Sequence, residues 1–251
     1  MELNLKVFLI VCPLSFFAGF VDSIAGGGGL ISLPAYLLAG VPTYNALGTN
    51  KLSSAFGTTI SAVRYIKNKS VRFNLILPTV GLALIGSSLG ANLVLQVEEI
   101  YLQYLLLFIL PLIALLIFRK KDILEVGDED HLSGRKQFII ACLAAFIIGG
   151  YDGFYGPGTG TFLVLVFTAM AKINVKEASG NAKCINLASN IAALTTFLLH
   201  GHVFIVLGLS GAVFNMFGNY VGSGLVLSNG SKIVRPIILL VLSILFLKII
   251  I

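Results

Sequence analysis

The chain has 251 residues, 57% of them apolar or aromatic and only 11% charged, where a soluble domain carries about 25% charged residues. Its 17 Lys and Arg against 11 Asp and Glu give a net charge of +6, too few charges of either sign to clothe a water-facing surface. Soluble enzymes, disordered segments and fibrous proteins are excluded together, leaving an all-α polytopic membrane protein whose basic residues are read first as markers of the cytoplasmic face.

The first apolar stretch runs from about Val7 to Ala39 but is interrupted by Asp22 and by Gly26, Gly27, Gly28 and Gly29. Two short helices of about 12 to 17 residues flanking a break fit it better than one straight helix. Further membrane segments are predicted at Ala46 to Ile66, Phe73 to Leu95 and Ile100 to Phe118. A hydrophilic run, "RKKDILEVGDEDHLSGRK" from Arg119 to Lys136, then separates a first membrane half, residues 1–118, from a second, residues 137–251. The second half repeats the order: Phe138 to Met170, interrupted near Asp152 and Gly158, then Ala178 to Leu199, Val203 to Leu227 and Val234 to Ile251.

The halves are also related residue by residue. "FAGFVDSIAGGGGLISLP" from Phe17 and "FIIGGYDGFYGPGTGTFLV" from Phe146 put Asp22 and Asp152 in matching places, 130 residues apart. Further on, "NALGTNKLSSAFGTT" at Asn45 parallels "EASGNAKCINLASNI" at Glu177, aligning Ala46, Gly48 and Lys51 with Ala178, Gly180 and Lys183 at an offset of 132. An internal duplication is the economical explanation.

Loop charge sets the topology. Lys67, Lys69 and Arg72 mark one loop as cytoplasmic, as do the basic ends of the Arg119 to Lys136 linker. If each interrupted stretch enters and returns, the Lys172 and Lys176 loop is inside and the His200 to His202 loop, which has no Lys or Arg, is outside. Each half then reverses direction an odd number of times, and the repeats are inverted, as in alternating-access transporters. The competing count treats each interrupted stretch as one bent helix, giving parallel repeats and an inside His200 loop.

Charges inside apolar segments persist only when paired, hydrated or facing a cavity, because an unpaired charge in hydrocarbon costs several kcal/mol. Asp22 and Asp152 are therefore candidates for proton coupling or for capping the helix after each break. The glycines at 26–29 and Gly156, Gly158 and Gly160, with Thr159, let backbone approach a ligand or a neighbouring helix, and a half-helix starting there aims free N–H groups at the membrane centre, an anion site. Lys51, Ser54 and Thr58 fall on one helix face, as do Lys183, Asn186 and Asn190. Two such lysines with Thr49, Asn50 and Asn181 would form a symmetric positive pocket; the alternative is that each lysine snorkels to an interface. Asn215, Asn219 and Tyr220 suit hydrogen bonding between helices first and pore lining second. Cys12, Cys142 and Cys184 lie in apolar segments without metal spacing, and His200 and His202 have no third ligand nearby. No metal, cofactor, nucleic-acid partner or enzymatic activity is expected.

The Phe17 to Tyr65 segment, with "GGYDGFYGPGTGTFLV" and "ASGNAKCINLASNIAAL" in the second half, resembles the sulfite exporter TauE/SafE family, also called the toluene sulfonate uptake permeases. The resemblance covers essentially the whole chain. It implies a multi-pass permease of the cytoplasmic (inner) membrane that moves small anions, often sulfite, sulfonates or sulfoacetate, without an ATPase subunit, and leaves room for a homodimer. It carries the motif roles to Asp22, Gly26, Gly28, Asn50 and Lys51 and to Asp152, Gly156, Gly158, Asn181 and Lys183. Pro157 stands opposite Gly27, and Ala182 opposite Asn50, so the two half-sites are not chemically identical. An anion channel and a membrane scaffold are the alternatives to a transporter.

Overall fold

A computed structural model describes residues 4–98, 100–101, 132–230, 232–234 and 236–237. The segments predicted at Ile100 to Phe118 and Val234 to Ile251, and most of the linker, lie almost wholly outside the described residues. Among those residues the chain forms α1 (Leu5–Ala25), α2 (Gly29–Leu38), α3 (Thr43–Lys67), α4 (Phe73–Val94), α5 (Gly134–Phe154), α6 (Thr159–Leu165), α7 (Val175–Leu199) and α8 (Ile205–Asn229). A π-helical turn, Val166–Met170, continues α6. Helices α1, α4, α5, α7 and α8 are each long and apolar enough to cross a bilayer, so the chain is an all-α polytopic membrane protein.

The interruptions differ from the expected pairs of short helices of about 12 to 17 residues. Each break joins a 21-residue helix, α1 or α5, to a short one: α2 has 10 residues, and α6 has 7 before its π-helical turn. Helix α1 runs on through Asp22 because that carboxylate finds a side-chain partner and leaves the backbone ladder intact. The chain turns only at Gly26, whose left-handed φ of 76° suits glycine and whose N–H still bonds to the Asp22 carbonyl at 2.7 Å. The second break turns at Gly156 and Gly158, also left-handed.

Polarity decides which helices lie inside. Helix α3 equals the others in length but falls outside the apolar spans, since it carries Asn50, Lys51, Ser53 and Thr58, all buried. Helix α7 is similar, with Asn181, Lys183, Asn186 and Asn190 buried. Within its membrane window α7 is 67% buried, against 33% for α5, so α7 lies central and α5 peripheral. The central pair pack on each other, α3 also on α8 and α7 also on α4; α1 packs on α8 and α4 on α5. The outer helices expose Leu9, Phe17, Leu77, Leu89, Leu143, Ile147 and Phe217, an apolar coat that only lipid solvates well.

Small residues bring the outer pairs together. A Cβ on Gly86 of α4 would strike the Phe146 carbonyl of α5, and a Cβ on Gly218 of α8 would strike the Phe16 carbonyl of α1. These two contacts are equivalent under the sequence repeat. At the centre the breaks themselves cross: Gly26 lies against the backbone of Gly160 and Thr161, and Thr161 Oγ1 donates to the Ala25 carbonyl at 2.6 Å.

Candidate functional site

The crossing of the two breaks brings the last turns of α1 and α5 against the middles of α3 and α7. Asp22 and Asp152 occupy those last turns, and each meets a lysine from the opposite half of the sequence. Lys183 Nζ donates to Asp22 Oδ2 at 2.8 Å, and Lys51 Nζ lies 2.8 Å from Asp152 Oδ2. Lys51 also donates to Asn190 Oδ1 at 3.1 Å. Hydroxyls complete both carboxylates, Thr58 Oγ1 donating to Asp22 Oδ2 at 3.4 Å and Ser189 Oγ to Asp152 Oδ2 at 2.6 Å. Both lysines are 2% exposed.

Three expectations change. The lysines do not snorkel to an interface, because each has a partner at depth. Nor do they form an unpaired positive pocket: two ammonium groups and two carboxylates sum to zero. The carboxylates do not cap the following helices either, for α2 and α6 begin with no side-chain cap. Their oxygens are taken up by lysine and hydroxyl donors, and at the helix starts the N–H groups of Leu30, Ile31 and Thr159 bond to the carbonyls of Gly27, Gly28 and Gly156.

A small cavity of about 20 Å³ lies between these groups, room for a water molecule and less than any sulfur oxyanion needs. Its walls are Asp22, Gly26 and Gly29 of the first break, Asn50, Lys51 and Ser54 of α3, Asp152, Gly156 and Thr159 of the second break, and Asn186 and Asn190 of α7. Most of the residues singled out from the sequence thus meet at one place. Others stand apart. Lys183 is behind Asp22, outside the cavity lining, and neither Gly27, Gly28 nor Gly158 lines it. Thr49 and Asn181 serve a different purpose: Thr49 Oγ1 accepts from the Phe204 N–H and Asn181 Oδ1 from the Arg72 N–H, both at 3.0 Å, tying down the segments that enter α8 and α4.

Sequence reasoning did not place Ser189 in the site. The signal was present, since Asn186, Ser189 and Asn190 share one face of α7 at three- and four-residue spacing. Asn215 does link helices, donating to the Ser15 carbonyl of α1 at 3.2 Å. Tyr220 stands outside the walls of this cavity and stacks under the Arg64 guanidinium, 4.1 Å from the ring centre. His200 Nδ1 stays local, 2.8 Å from the Thr196 carbonyl oxygen.

Comparison with known proteins points to one family of membrane transporters. The family described as sulfite exporter TauE/SafE is matched by residues 11–249. A "Probable membrane transporter protein ORF9" of Sinorhizobium sp is 38% identical over 238 residues, 95% of this chain and 89% of that protein. The "Probable membrane transporter protein YfcA" of Escherichia coli (strain K12) is 36% identical over 228 residues, covering 91% and 84% of the two chains. A "Probable membrane transporter protein" of Haemophilus influenzae is 31% identical over 241 residues, covering 96% and 93%. No solved structure gives a significant match.

Proposed function

The chain belongs to the sulfite exporter TauE/SafE family of membrane transporters, and from that premise we propose that the cavity between its two breaks is where a sulfur-containing oxyanion binds during alternating access. The protein is a multi-pass secondary transporter of small anions, not an enzyme. The observation that carries the site assignment is the pair of crossed ion pairs around a polar cavity. In a membrane core, burying four charges is costly unless each pair is well made, and a scaffold gains nothing from doing it twice.

The chemistry follows from the pairing. An oxyanion entering the cavity competes with a carboxylate for a lysine, so binding substrate and loosening the contact between halves are one event. The start of α2 offers the Gly29 N–H and a favourable helix dipole to the same anion. Asn50, Asn186 and Asn190 orient it by hydrogen bonds. Thr159 and the backbone at Gly156 close the other side. The cavity's small size supports an occluded carrier over an open channel.

The halves are read as inverted repeats in an inner membrane. Helix α3 ends near the loop that starts α4, and the start of α4 is bonded to the start of α7 through Asn181; α7 ends near the loop that starts α8, whose entry is bonded to the start of α3 through Thr49. That circuit needs α3 and α7 to run in opposite directions. At about 15 Å, the 10-residue α2 reaches half of a core about 30 Å thick, which suits a return from the centre.

The test is uptake into proteoliposomes of sulfite, thiosulfate, sulfate, sulfoacetate and chloride, with Lys51→Ala as control. Saturable flux of a sulfur oxyanion that disappears in Lys51→Ala, with the variant still inserted, is expected. Unchanged flux in Lys51→Ala would remove the cavity as the binding site.

A further inference from the structure

The repeat makes Asp22 and Asp152 formally equivalent, yet their surroundings differ. Asp152 Oδ2 is held by two short contacts, Lys51 Nζ at 2.8 Å and Ser189 Oγ at 2.6 Å, and its side chain is 3% exposed. Asp22 Oδ2 has one short contact, Lys183 Nζ at 2.8 Å, while Thr58 Oγ1 stands off at 3.4 Å and the side chain is 12% exposed. The first-half counterpart of Ser189, at the repeat offset of 132, is Gly57, which has no hydroxyl to give. Asp22 also lines the cavity while Lys183 does not, so Asp22 lies between its lysine and anything that enters.

Among the described residues the other ionisable groups around Asp22 are few. From α7 it faces Lys183; across the cavity lie Lys51 of α3 and Asp152 of α5; Tyr65 of α3 donates to the neighbouring Ser23 carbonyl at 3.1 Å. Helices α2, α6 and α8, which surround the same region, contain no Asp, Glu, Lys, Arg or His. Asp22 is thus held by fewer and longer donor bonds than Asp152 and is the more accessible of the two.

We infer that Asp22 is the carboxylate that loads a proton with each anion, while Asp152 stays ionised against Lys51. The inference rests on the cavity being the transport site. A proton from the aqueous side converts the Asp22 carboxylate to a carboxylic acid, taking the four charged groups from zero to +1. The Lys183 ammonium loses its ionic partner, and the anion takes up that charge. When the anion leaves, Asp22 releases the proton to the same side and re-forms its bond to Lys183. Anion and proton therefore move together in the same direction.

The experiment uses proteoliposomes clamped at zero membrane potential, with radiolabelled thiosulfate and sulfoacetate as probes, both carrying strong-acid groups that stay ionised near neutral pH. At one proton per thiosulfate, an inward gradient of one pH unit concentrates the label about tenfold in the wild type. Asp22→Asn should bring accumulation back to equality while still exchanging labelled for unlabelled thiosulfate, and Asp22→Glu should restore accumulation. Asp152→Asn should lose accumulation and exchange together. Accumulation persisting in Asp22→Asn, or the exchange-only behaviour appearing in Asp152→Asn instead, would overturn the assignment. An infrared pH titration of the purified protein gives a readout independent of transport. The carbonyl band of the cavity's protonated carboxyl should appear in the wild type and Asp152→Asn and be missing in Asp22→Asn. The reverse pattern, or no band that follows Asp22, refutes the proposal whatever the probes do. A band that follows Asp22 with neither probe carried would leave the proton site in place and discard the sulfur-oxyanion substrate.

Discussion

The residues that matter most are four side chains that satisfy one another. Removing one member of a buried ion pair leaves a charge stranded at depth, whereas removing both with apolar replacements of similar size does not. Asp152→Ala should therefore destabilise the protein by about 3–5 kcal/mol, while Lys51→Met combined with Asp152→Leu should recover most of that stability and remain inactive. Thermal unfolding in detergent, read beside proteoliposome flux, separates the two quantities; a double variant as unstable as the single one would contradict the pairing. The identities of these residues were legible in the sequence, because a charge in an apolar run demands a reason and here the demand occurs twice at matching positions. Their partners were not. Lys51 and Lys183 looked like a joint positive pocket, since sequence offsets relate each lysine to the carboxylate of its own half. The crossing of the breaks instead hands each one the carboxylate of the other half.

For the helices and breaks, boundaries were largely readable from hydropathy: the predicted segments Ala46 to Ile66 and Phe73 to Leu95 became α3, Thr43–Lys67, and α4, Phe73–Val94. The breaks were located but their shape was misjudged, because a carboxylate in an apolar run reads as an interruption until its partner is known. The glycines within them divide into contact glycines and free ones. A Cβ on Gly160 would lie 2.5 Å from the Gly26 Cα, backbone that has no rotamer to change. Gly160→Ala should cost about 1–3 kcal/mol or more in overpacking and suppress transport. Gly81, in the interior of α4, has nothing within 4 Å of such a Cβ, so Gly81→Ala should stabilise by up to about 1 kcal/mol and leave flux intact. Paired melting curves check both, and equal effects would mean that the crossing is looser than described.

At the scale of the whole molecule, duplication predicts that contacts come in pairs, and they do. The Ser70 carbonyl fills the space beside Gly180 just as the His202 carbonyl fills that beside Gly48, both offset by 132. The proposed opposite orientation of the halves has a direct labelling test in a background lacking Cys12, Cys142 and Cys184. Single cysteines replacing Lys69 and Lys172 should react only from the cytoplasmic side, and one replacing His200 only from outside; labelling of 172 and 200 from one side would favour parallel halves. Co-expressed fragments 1–118 and 119–251 should assemble and restore uptake that neither supports alone, since each contributes one member to both ion pairs. The same exchange of partners bears on descent. A half-length ancestor would have carried a lysine and a carboxylate too far apart to satisfy each other, and only by meeting a second copy inserted in the opposite sense would it have silenced both. On that reading, fusion would make the encounter permanent and free the copies to differ, as Ser189 beside Asp152 and its counterpart Gly57 now do.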